Sequence, residues 1–285
     1  MRVLLACLNV NGLGGSELYH YELAKELHSL CELTLFTLRE IDPNDQVRVK
    51  LTDLGIKQTS ILPSEGFDII VVSQPQTTQL ILNHYSNTPI VSIIHSEIRS
   101  EDPILDSRIA HYIGIRQPIV DMLTDTYKID KNKVSLVYNP IDRSRFNTDL
   151  YLNFNKKITG LFVGEVLDSI RFKTVEHLVN ECIDKDWELL IMSDSKYDFK
   201  HPNIRYITRT WDTENIVKQV DFTAGILLGR TTLESWCCGV PSYIYEIDIQ
   251  GNILNITLDK PHNIENICDS KYVVKQHLKL YKTLL

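Results

Sequence analysis

The sequence lacks three features that would place the protein outside the cytoplasm, in a membrane or on nucleic acid. None of its six cysteines has the C-x-x-C spacing of a metal or redox motif, and no apolar run approaches the roughly 20 residues that cross a bilayer. The formal net charge is −7, which argues against a broad basic surface for nucleic acid. The chain enters an apolar run without the layout of a signal peptide, so we expect reduced cysteines and a cytoplasmic protein.

Several short catalytic motifs are also missing. The sequence has no H-E-x-x-H, no group of cysteines and histidines at metal-binding spacing, and no G-x-S-x-G. Its first glycine-rich turn does not have the G-x-G-x-x-G spacing of a dinucleotide fingerprint, which argues against an NAD-linked enzyme. We therefore expect no metal ion and no resident cofactor.

What the chain does contain begins with a strand, a glycine-rich loop, a helix and a second strand. Arg2–Leu8 is a continuous apolar run, which is typical of a buried parallel strand, and Asn9–Ser16 is rich in glycine. Ser16 is a candidate N-cap, and Gly14 and Gly15 can present backbone N–H groups beside the helix start. Because ligands bind at the carboxyl ends of such strands, this loop is a candidate site; a tight turn without a ligand is the alternative.

Strands and helices alternate through all 285 residues, which predicts two doubly wound α/β domains. We place the first domain at 1–150, the second at 156–269, and a final helix that can pack back on the first domain at 270–285. A polar stretch, Asn147–Lys157, is the predicted linker. Besides the first two strands, strands are predicted at 67–73, 89–95, 109–115, 134–138, 158–163, 187–192, 204–207, 222–228 and 240–245. Further helices are predicted at 47–54, 76–85, 117–127, 175–182, 215–220 and 270–285.

His95 ends a predicted strand, at the edge of the sheet where this architecture collects functional groups. It can hydrogen-bond a sugar hydroxyl or a phosphate, or take part in acid–base chemistry. A histidine packed under a loop is the alternative. Three other histidines lie on predicted helices and are expected at the surface: His20, His28 and His277.

In the second half, the segment Gly229–Pro241 predicts a helix whose start binds a ligand. Gly229 lets the backbone approach a ligand, Thr231 can cap the helix, and the free N–H groups of the first turn favour a phosphate. Glu234 stands one turn further, where a carboxylate can grip the two hydroxyls of a ribose. The alternative is a capping box, in which Glu234 only reaches back to a backbone N–H.

Basic side chains follow the first strand of the second half. Lys173 and Arg171 can neutralise a diphosphate leaving group without a metal, and solvated side chains at a helix start are the alternative. The last helix carries a stripe of four lysines, Lys271, Lys275, Lys279 and Lys282. This stripe can make a weak contact with an anionic membrane surface, or it is a solvated helix face.

Taken in chain order, these segments resemble GT-B glycosyltransferases, and most of all the retaining family GT4. The resemblance is carried by Gly14–Glu17, Pro89–His95, Val137–Asp142 with Phe146, Leu161–Gly164 with Lys173, and Leu233–Pro241. It implies two Rossmann-like domains whose parallel sheets face each other across a cleft, with the nucleotide of a UDP- or GDP-sugar bound to the second. It also implies transfer of the sugar to a hydroxyl acceptor, without a metal ion and with retention of configuration.

The resemblance implies a role for each candidate residue. Glu234 would hold the ribose, while Lys173, on the diphosphate, and His95, on the transferred sugar, would be the catalytic groups. Gly14 and Gly15 would approach the phosphate side of the donor and the acceptor. The phosphates would be bound by the loop residues Gly229, Arg230, Thr231 and Thr232, with Arg171 as a further cation.

Two positions depart from the family pattern. The first carboxylate of the family's Glu-x7-Glu falls on Ile226, and its usual arginine after the first strand falls on Glu165. Arg171 or Arg230 can replace the lost cation. The departures leave open a catalytically inactive module that binds nucleotide sugars, and the fold leaves open a sugar-nucleotide 2-epimerase. The acceptor can be a glycan, a lipid-linked sugar, a protein or a modified nucleobase.

Overall fold

The computed structural model describes residues 1–64, 66–97, 102–148, 157–166, 170–195, 199–259 and 267–285. The chain forms two compact units, one of Met1–Pro140 with Ile267–Leu285 and the other of Ile141–Asn266. Most of the predicted linker, residues 149–156, lies outside the described residues.

The first unit is built on a seven-stranded sheet in which all neighbouring strands are parallel. Its strands are β1 (Arg2–Cys7), β2 (Glu32–Thr37), β3 (Lys57–Thr59), β4 (Ile69–Ser73), β5 (Ile90–Ile94), β6 (Ile109–Gly114) and β7 (Val134–Leu136). Their order across the sheet is β3-β2-β1-β4-β5-β6-β7, so the direction of winding reverses between β1 and β4. β4 and β5 are buried at every position, which explains their continuous apolar sequences.

The second unit has a six-stranded sheet with the same kind of reversal. Its strands are β8 (Thr159–Val163), β9 (Glu188–Met192), β10 (Ile204–Ile207), β11 (Phe222–Ile226), β12 (Ser242–Ile247) and β13 (Ile253–Asp259). Their order is β10-β9-β8-β11-β12-β13, and the winding reverses between β8 and β11. All pairs are parallel except β12 with β13, which is antiparallel at the sheet edge.

Eight helices accompany the two sheets in the described parts of the chain. They are α1 (Gly15–Leu27), α2 (Gln46–Asp53), α3 (Pro75–His84), α4 (Gln117–Asp121), α5 (Phe172–Asp184), α6 (Thr213–Val217), α7 (Arg230–Cys237) and α8 (Ser270–Leu284). A π-helical turn, Met122–Thr126, continues α4. α8 belongs to the first unit and packs on α1, with the hydroxyl of Ser270 donating to Glu26 Oε1 at 2.9 Å.

The predicted strands and helices all form, with shifted ends, but two strands are not predicted. β3 is a three-residue polar strand, and β13 is exposed at most positions, so neither has the apolar run that marks the other strands. The second sheet is therefore mixed rather than wholly parallel.

Candidate functional site

The glycine-rich loop after β1 is held by its own asparagines and by α2. Asn9 Oδ1 accepts from Asn11 N at 2.9 Å, and Asn9 Nδ2 donates to the Asn11 carbonyl oxygen at 2.9 Å. Gly12 N donates to Asp45 Oδ2 at 2.8 Å, and the other oxygen of Asp45 caps α2 by accepting from Val47 N. Gly12 has a φ of 98°, which favours glycine. The loop therefore has a defined shape that α2 fixes.

Arg48 of α2 joins this loop to the neighbouring strands. It is 1% exposed, and its Nε donates to Asn11 Oδ1 at 2.8 Å. Its Nη1 and Nη2 donate to Gln58 Oε1 at 3.0 Å and to Thr37 Oγ1 at 2.7 Å. Sequence reasoning missed Arg48, because an arginine on a short polar helix is usually solvated.

Helix α1 begins at Gly15, with Gly14 as its N-cap. The prediction that Ser16 caps this helix is wrong: among the described residues no side chain caps it, and Ser16 Oγ donates to Glu17 Oε2 at 2.9 Å. A Cβ on Gly14 would lie 2.3 Å from Glu17 Oε2, so the glycine makes room for this carboxylate. An anion that binds this helix start must displace or avoid Glu17.

His95 follows β5 directly, as predicted from the sequence. Its Nε2 lies 3.2 Å from Ser73 Oγ at the end of β4, and its ring meets the ring of Tyr19 edge-on at 4.9 Å between centroids. Burial, with the neighbouring His20 and Arg116, lowers the pKa of His95 well below its ordinary value. His95 is therefore a neutral imidazole at neutral pH.

The expectation that His20 and His277 lie at the surface is wrong, because both are fully buried. His277 on α8 lies between two phenols: its Nε2 is 3.0 Å from Tyr19 Oη and its Nδ1 is 3.0 Å from Tyr281 Oη. The contact with Tyr19 occurs because α8 packs on α1, a tertiary arrangement that local sequence does not show, whereas Tyr281 lies one turn further along α8. His28, by contrast, is half-buried at the C-cap of α1.

Next to His95, Arg116 and Glu97 form an ion pair that sequence reasoning did not identify. Arg116 is the N-cap of α4 and is 6% exposed, and its Nε donates to Glu97 Oε2 at 2.9 Å. A second contact joins Arg116 Nη2 to the same oxygen. The pair places one cation and one anion at the carboxyl ends of β5 and β6.

In the second unit, α7 begins at Arg230 and its N-cap is Gly229. The prediction that Thr231 caps this helix is wrong, because the extended backbone of Gly229 turns into the helix before Thr231 is reached. No side chain of the described residues caps α7, and Glu234 Oε1 accepts from Arg230 Nε at 2.6 Å instead, so the capping box is not formed.

Thr232, on the first turn of α7, is fully buried. Its side chain points at Gly225, where an added Cβ would lie 2.6 Å from Thr232 Oγ1. Thr232 can offer a ligand only its backbone.

The connection from β11 to α7 is a tight turn through Leu227. Leu227 has a φ of 60°, which an L side chain rarely adopts. Its N donates to the Tyr245 carbonyl oxygen at 2.8 Å, and Gly229 N donates to the Leu227 carbonyl oxygen at 2.9 Å. These bonds fix the direction in which the chain enters α7.

Glu234 is a buried carboxylate held by a buried guanidinium. It is 4% exposed; burial raises the pKa of its carboxyl, and Arg230 opposes this effect. A second pair close by, Arg145 with Glu214 at 2.7 Å, also acts on Glu234, and Arg145 stacks over the ring of Trp211 at 4.4 Å. The carboxylate is thus oriented by its neighbours before any ligand binds.

Lys173 is the second residue of α5, and Arg171 is the N-cap of that helix. Lys173 Nζ donates to Asn252 Oδ1 at 2.8 Å and to the Gln250 carbonyl oxygen at 3.3 Å, in the turn between β12 and β13. Asp248 Oδ1 orders this turn by accepting from Gln250 N at 2.8 Å and Asn252 N at 2.9 Å. In the described parts of the chain, the hydrogen bonds of Lys173 go to this turn and not to the start of α7.

Each candidate loop lies where the winding of its sheet reverses. The loop of Gly14 and Gly15 follows β1, next to β4, and the loop of Gly229 follows β11, next to β8. Ligands of doubly wound sheets bind at this position. The two departures lie at the same edge, since Ile226 ends β11 and Glu165 follows β8. The structure thus brings the glycine loop and His95 into the first unit, and the loop of Gly229, Glu234 and Lys173 into the second.

Two features are absent from the residues that the structure describes. No helix there has the length and apolar character needed to cross a membrane. No group of three or more histidine, cysteine, aspartate or glutamate side chains there is arranged to hold a metal ion. The four lysines of α8 are exposed, on the side opposite the buried Val273, His277 and Tyr281.

The chain is similar in structure to several known proteins. No family model and no curated protein sequence matches the chain. Anabaena Alr3699/HepE in complex with UDP-glucose superposes with a TM-score of 0.74 at 11% identity, over 99% of this chain and 100% of that one. A glycosyltransferase from Rickettsia africae ESF-5 gives 0.70 at 13% identity, over 99% and 98%. The crystal structure of TarM gives 0.62 at 10% identity, over 99% and 92%.

These similarities confirm the predicted fold class. The chain has two α/β domains of the kind found in GT-B glycosyltransferases, and the neighbours cover nearly its whole length.

Proposed function

We propose that the protein is a glycosyltransferase that moves a sugar from a UDP- or GDP-sugar to a hydroxyl acceptor. In this proposal it acts in the manner of family GT4, with retention of configuration and without a metal ion. The nucleotide binds at the start of α7, and Gly14, Gly15 and His95 are the residues proposed for the transferred sugar and the acceptor.

The observation that carries the proposal is the start of α7. A glycine N-cap without a capping side chain from the described residues lies at the reversal point of the sheet, and a buried, oriented carboxylate stands one turn further. First-turn N–H groups suit a diphosphate, and a carboxylate suits two neighbouring hydroxyls. A nucleoside diphosphate has both groups, and the UDP-glucose bound to the Anabaena neighbour supports the same ligand class.

The catalytic proposal concerns charge on the leaving group. When the bond between the sugar and the diphosphate breaks, negative charge grows on the diphosphate oxygen, which Lys173 and the α7 backbone stabilise. That oxygen takes the proton of the acceptor hydroxyl as the new glycosidic bond forms on the same face of the sugar. The chain therefore needs no nucleophilic side chain, but Lys173 must exchange its bonds to the β12–β13 turn for the phosphate.

Glu234→Gln tests the proposed ribose contact. The amide oxygen can still accept from Arg230, whereas the charge that strengthens hydrogen bonds to the ribose is lost. We expect UDP or GDP, whichever binds the wild type, to bind about 10- to 100-fold more weakly, as loss of a charged hydrogen bond predicts. Calorimetric titration measures this affinity.

Asp184→Asn, at the exposed far end of α5, is the matched control and should bind the nucleotide as the wild type does. Full affinity in Glu234→Gln would leave Glu234 with a structural role alone.

The metal-free proposal has a separate test. Activity with a sugar-nucleotide panel should persist in EDTA, because the proposed leaving-group charge is neutralised by Lys173 and backbone N–H groups. Loss of activity in EDTA that Mg²⁺ or Mn²⁺ restores would refute it.

A second candidate is an inactive module that binds nucleotide sugars, and Ile226 and Glu165 favour it. An isoleucine side chain cannot orient a donor sugar by hydrogen bonding, and a glutamate at the second position repels a diphosphate. In that case UDP or GDP raises the melting temperature, yet no sugar nucleotide of the panel is hydrolysed or consumed. Turnover of any donor would exclude this candidate.

A further inference from the structure

His20 and Ser73 form a hydrogen-bonded chain behind His95 in the first unit. His20 Nδ1 lies 2.6 Å from the Ser16 carbonyl oxygen, and His20 Nε2 lies 2.9 Å from Ser73 Oγ. Ser73 Oγ in turn lies 3.2 Å from His95 Nε2. His20 and Ser73 are both 0% exposed, so water does not compete for these bonds.

The chemistry of the four groups determines where each proton lies. A carbonyl oxygen only accepts, so His20 Nδ1 carries a proton and donates to Ser16. Burial lowers the pKa of His20 to about 4, so at neutral pH its Nε2 has no proton and must accept from the hydroxyl of Ser73. Ser73 has one proton to give, so its oxygen accepts from His95 Nε2–H. The neutral His95 ring then has an unprotonated Nδ1.

The contacts of His95 leave this Nδ1 available. His95 is half-buried, its Nε2 edge faces Ser73, and Tyr19 meets its ring edge-on. Among the described residues, the hydrogen bonds of His95 involve Nε2 alone. The ring orientation and the tautomer of His95 are therefore both determined by fully buried groups, namely Ser73, His20 and Tyr19.

Besides burial, two groups around His95 lower its pKa, namely His20 and Arg116. His20 and Tyr19 face it from α1, and Arg116, paired with Glu97, stands at the start of α4. A positive charge on His95 would lie in a buried environment beside Arg116. The neutral ring is therefore the stable form near neutral pH.

We propose that His20 is a positioning residue which, through Ser73 Oγ, holds His95 as the Nε2–H tautomer, so that Nδ1 accepts a hydrogen bond from a hydroxyl of the transferred sugar. The sugar contact rests on the proposed function, whereas the tautomer does not. A lone pair at this point selects for a hydroxyl and repels a carboxylate. The favoured donors are thus nucleotides that carry an uncharged hexose rather than a hexuronic acid.

The tautomer is tested on the whole chain with ¹⁵N-labelled histidine. Long-range ¹H–¹⁵N spectra, assigned with His95→Gln, should show His95 with a proton on Nε2 and none on Nδ1 from pH 8 to pH 6. Ser73→Ala should give a mixture of both tautomers, and Ser73→Thr, which keeps the hydroxyl, should restore the wild-type pattern. The signals of His111, which is buried on β6 and bonded to Ser135, should stay unchanged in Ser73→Ala, which shows that the unit is still folded. A proton on Nδ1 in the wild type, or an unchanged tautomer in Ser73→Ala, would overturn the inference.

The sugar contact is tested with the same sample. UDP-glucose should shift the Nδ1 resonance of His95, while UDP should not, and Ser73→Ala should lower kcat/KM by about three- to tenfold, the effect of one hydrogen bond. UDP-glucuronate should be the poorer donor for the wild type, and Ser73→Ala should narrow that difference. If calorimetry shows donor binding without a shift at Nδ1, the sugar contact is wrong. If neither UDP nor GDP nor their sugars bind, the proposed function fails, while the tautomer result stands.

Discussion

Backbone strain distinguishes two kinds of residue in this chain. In the described parts of the chain, four residues other than glycine have positive φ, namely Gln74, Lys128, Asp186 and Leu227. Lys128 and Asp186 each follow the end of a helical segment, where a left-handed residue commonly ends a helix. Gln74 and Leu227 instead follow β4 and β11, at the two points where winding reverses. Strained residues of this kind are common at ligand sites, and they persist only where the surrounding structure holds the backbone in place.

Leu227→Gly measures this strain. The left-handed conformation costs an L residue about 1–2 kcal/mol, and glycine loses roughly 0.5–1 kcal/mol in unfolded-state entropy, so the folded state should gain up to about 1.5 kcal/mol. Urea unfolding followed by tryptophan fluorescence measures the gain. We also expect weaker UDP or GDP binding, because the freer turn no longer fixes the start of α7.

Lys128→Gly is the matched control, since Lys128 has a φ of 56° outside the candidate site. It should show a similar gain in stability and unchanged nucleotide affinity. Equal affinity in both variants would mean that the strained turn does not prepare the binding site.

At the scale of elements, apolar runs and glycine loops predict most of the strands and the two loops that the structure places at the reversal points. The sequence places the caps of α1 and α7 two residues too late, because Ser16 and Thr231 are good caps in isolation, whereas Gly14 and Gly229 occupy the cap positions. The contact of His20 with Ser73 could not be predicted, because it depends on the end of β4 lying beside α1. Local sequence reports periodicity; it does not report which face of a helix meets which strand.

The turn between β12 and β13 is an element on which the proposed role of Lys173 depends. Gly251 has a φ of 76°, and a Cβ there would lie 2.1 Å from the Ile170 carbonyl oxygen. Gly251→Ala must therefore move the turn or the segment before α5. We expect a loss of stability of about 1–3 kcal/mol in urea unfolding, because the turn or the segment before α5 must shift to relieve the clash.

Gly55→Ala separates steric clash from backbone preference. Gly55 has a φ of 73° and no atom within 4 Å of a built Cβ, so only the conformational cost applies there. Gly251→Ala should be the more damaging of the two by the cost of the clash. Equal losses of stability in the two variants would show that the steric clash with Ile170 does not contribute to the effect of Gly251→Ala.

At the scale of the whole molecule, the described histidines whose pKa is lowered by burial all belong to one unit. Burial lowers the pKa of His20 to about 4 and of His277 to about 3, and it also lowers the pKa of His95 and His111. All four lie in the first unit, whereas the three tryptophans, Trp187, Trp211 and Trp236, lie in the second. Acid should therefore act on the two units unequally.

The direction in which stability changes with pH follows from proton binding to the folded and unfolded states. The unfolded histidines titrate near a pKa of about 6.5, so between about pH 6.5 and pH 5 the unfolded first unit binds protons that the folded unit does not. Stability is therefore present above about pH 6.5 and falls as the pH is lowered toward the folded pKa, by up to about 1.4 kcal/mol per pH unit for each buried histidine. As the pH is lowered, the urea midpoint measured by far-UV circular dichroism, which reports both units, should fall. Tryptophan fluorescence, which reports the second unit, should show a smaller change.

His277→Gln identifies the source of this pH dependence. The amide can still hydrogen-bond Tyr19 and Tyr281 but cannot take up a proton, so the variant should lose part of the acid sensitivity while its midpoint at pH 8 changes less. His28→Gln, at a half-buried position, should keep the wild-type slope. If His277→Gln keeps that slope, His277 does not contribute to the acid sensitivity. If fluorescence and circular dichroism shift equally, the acid sensitivity does not come from the first unit alone. A reduced slope in His277→Gln alone would assign acid sensitivity to the contact between α1 and α8, which links α8 to the ring of Tyr19 that packs on His95.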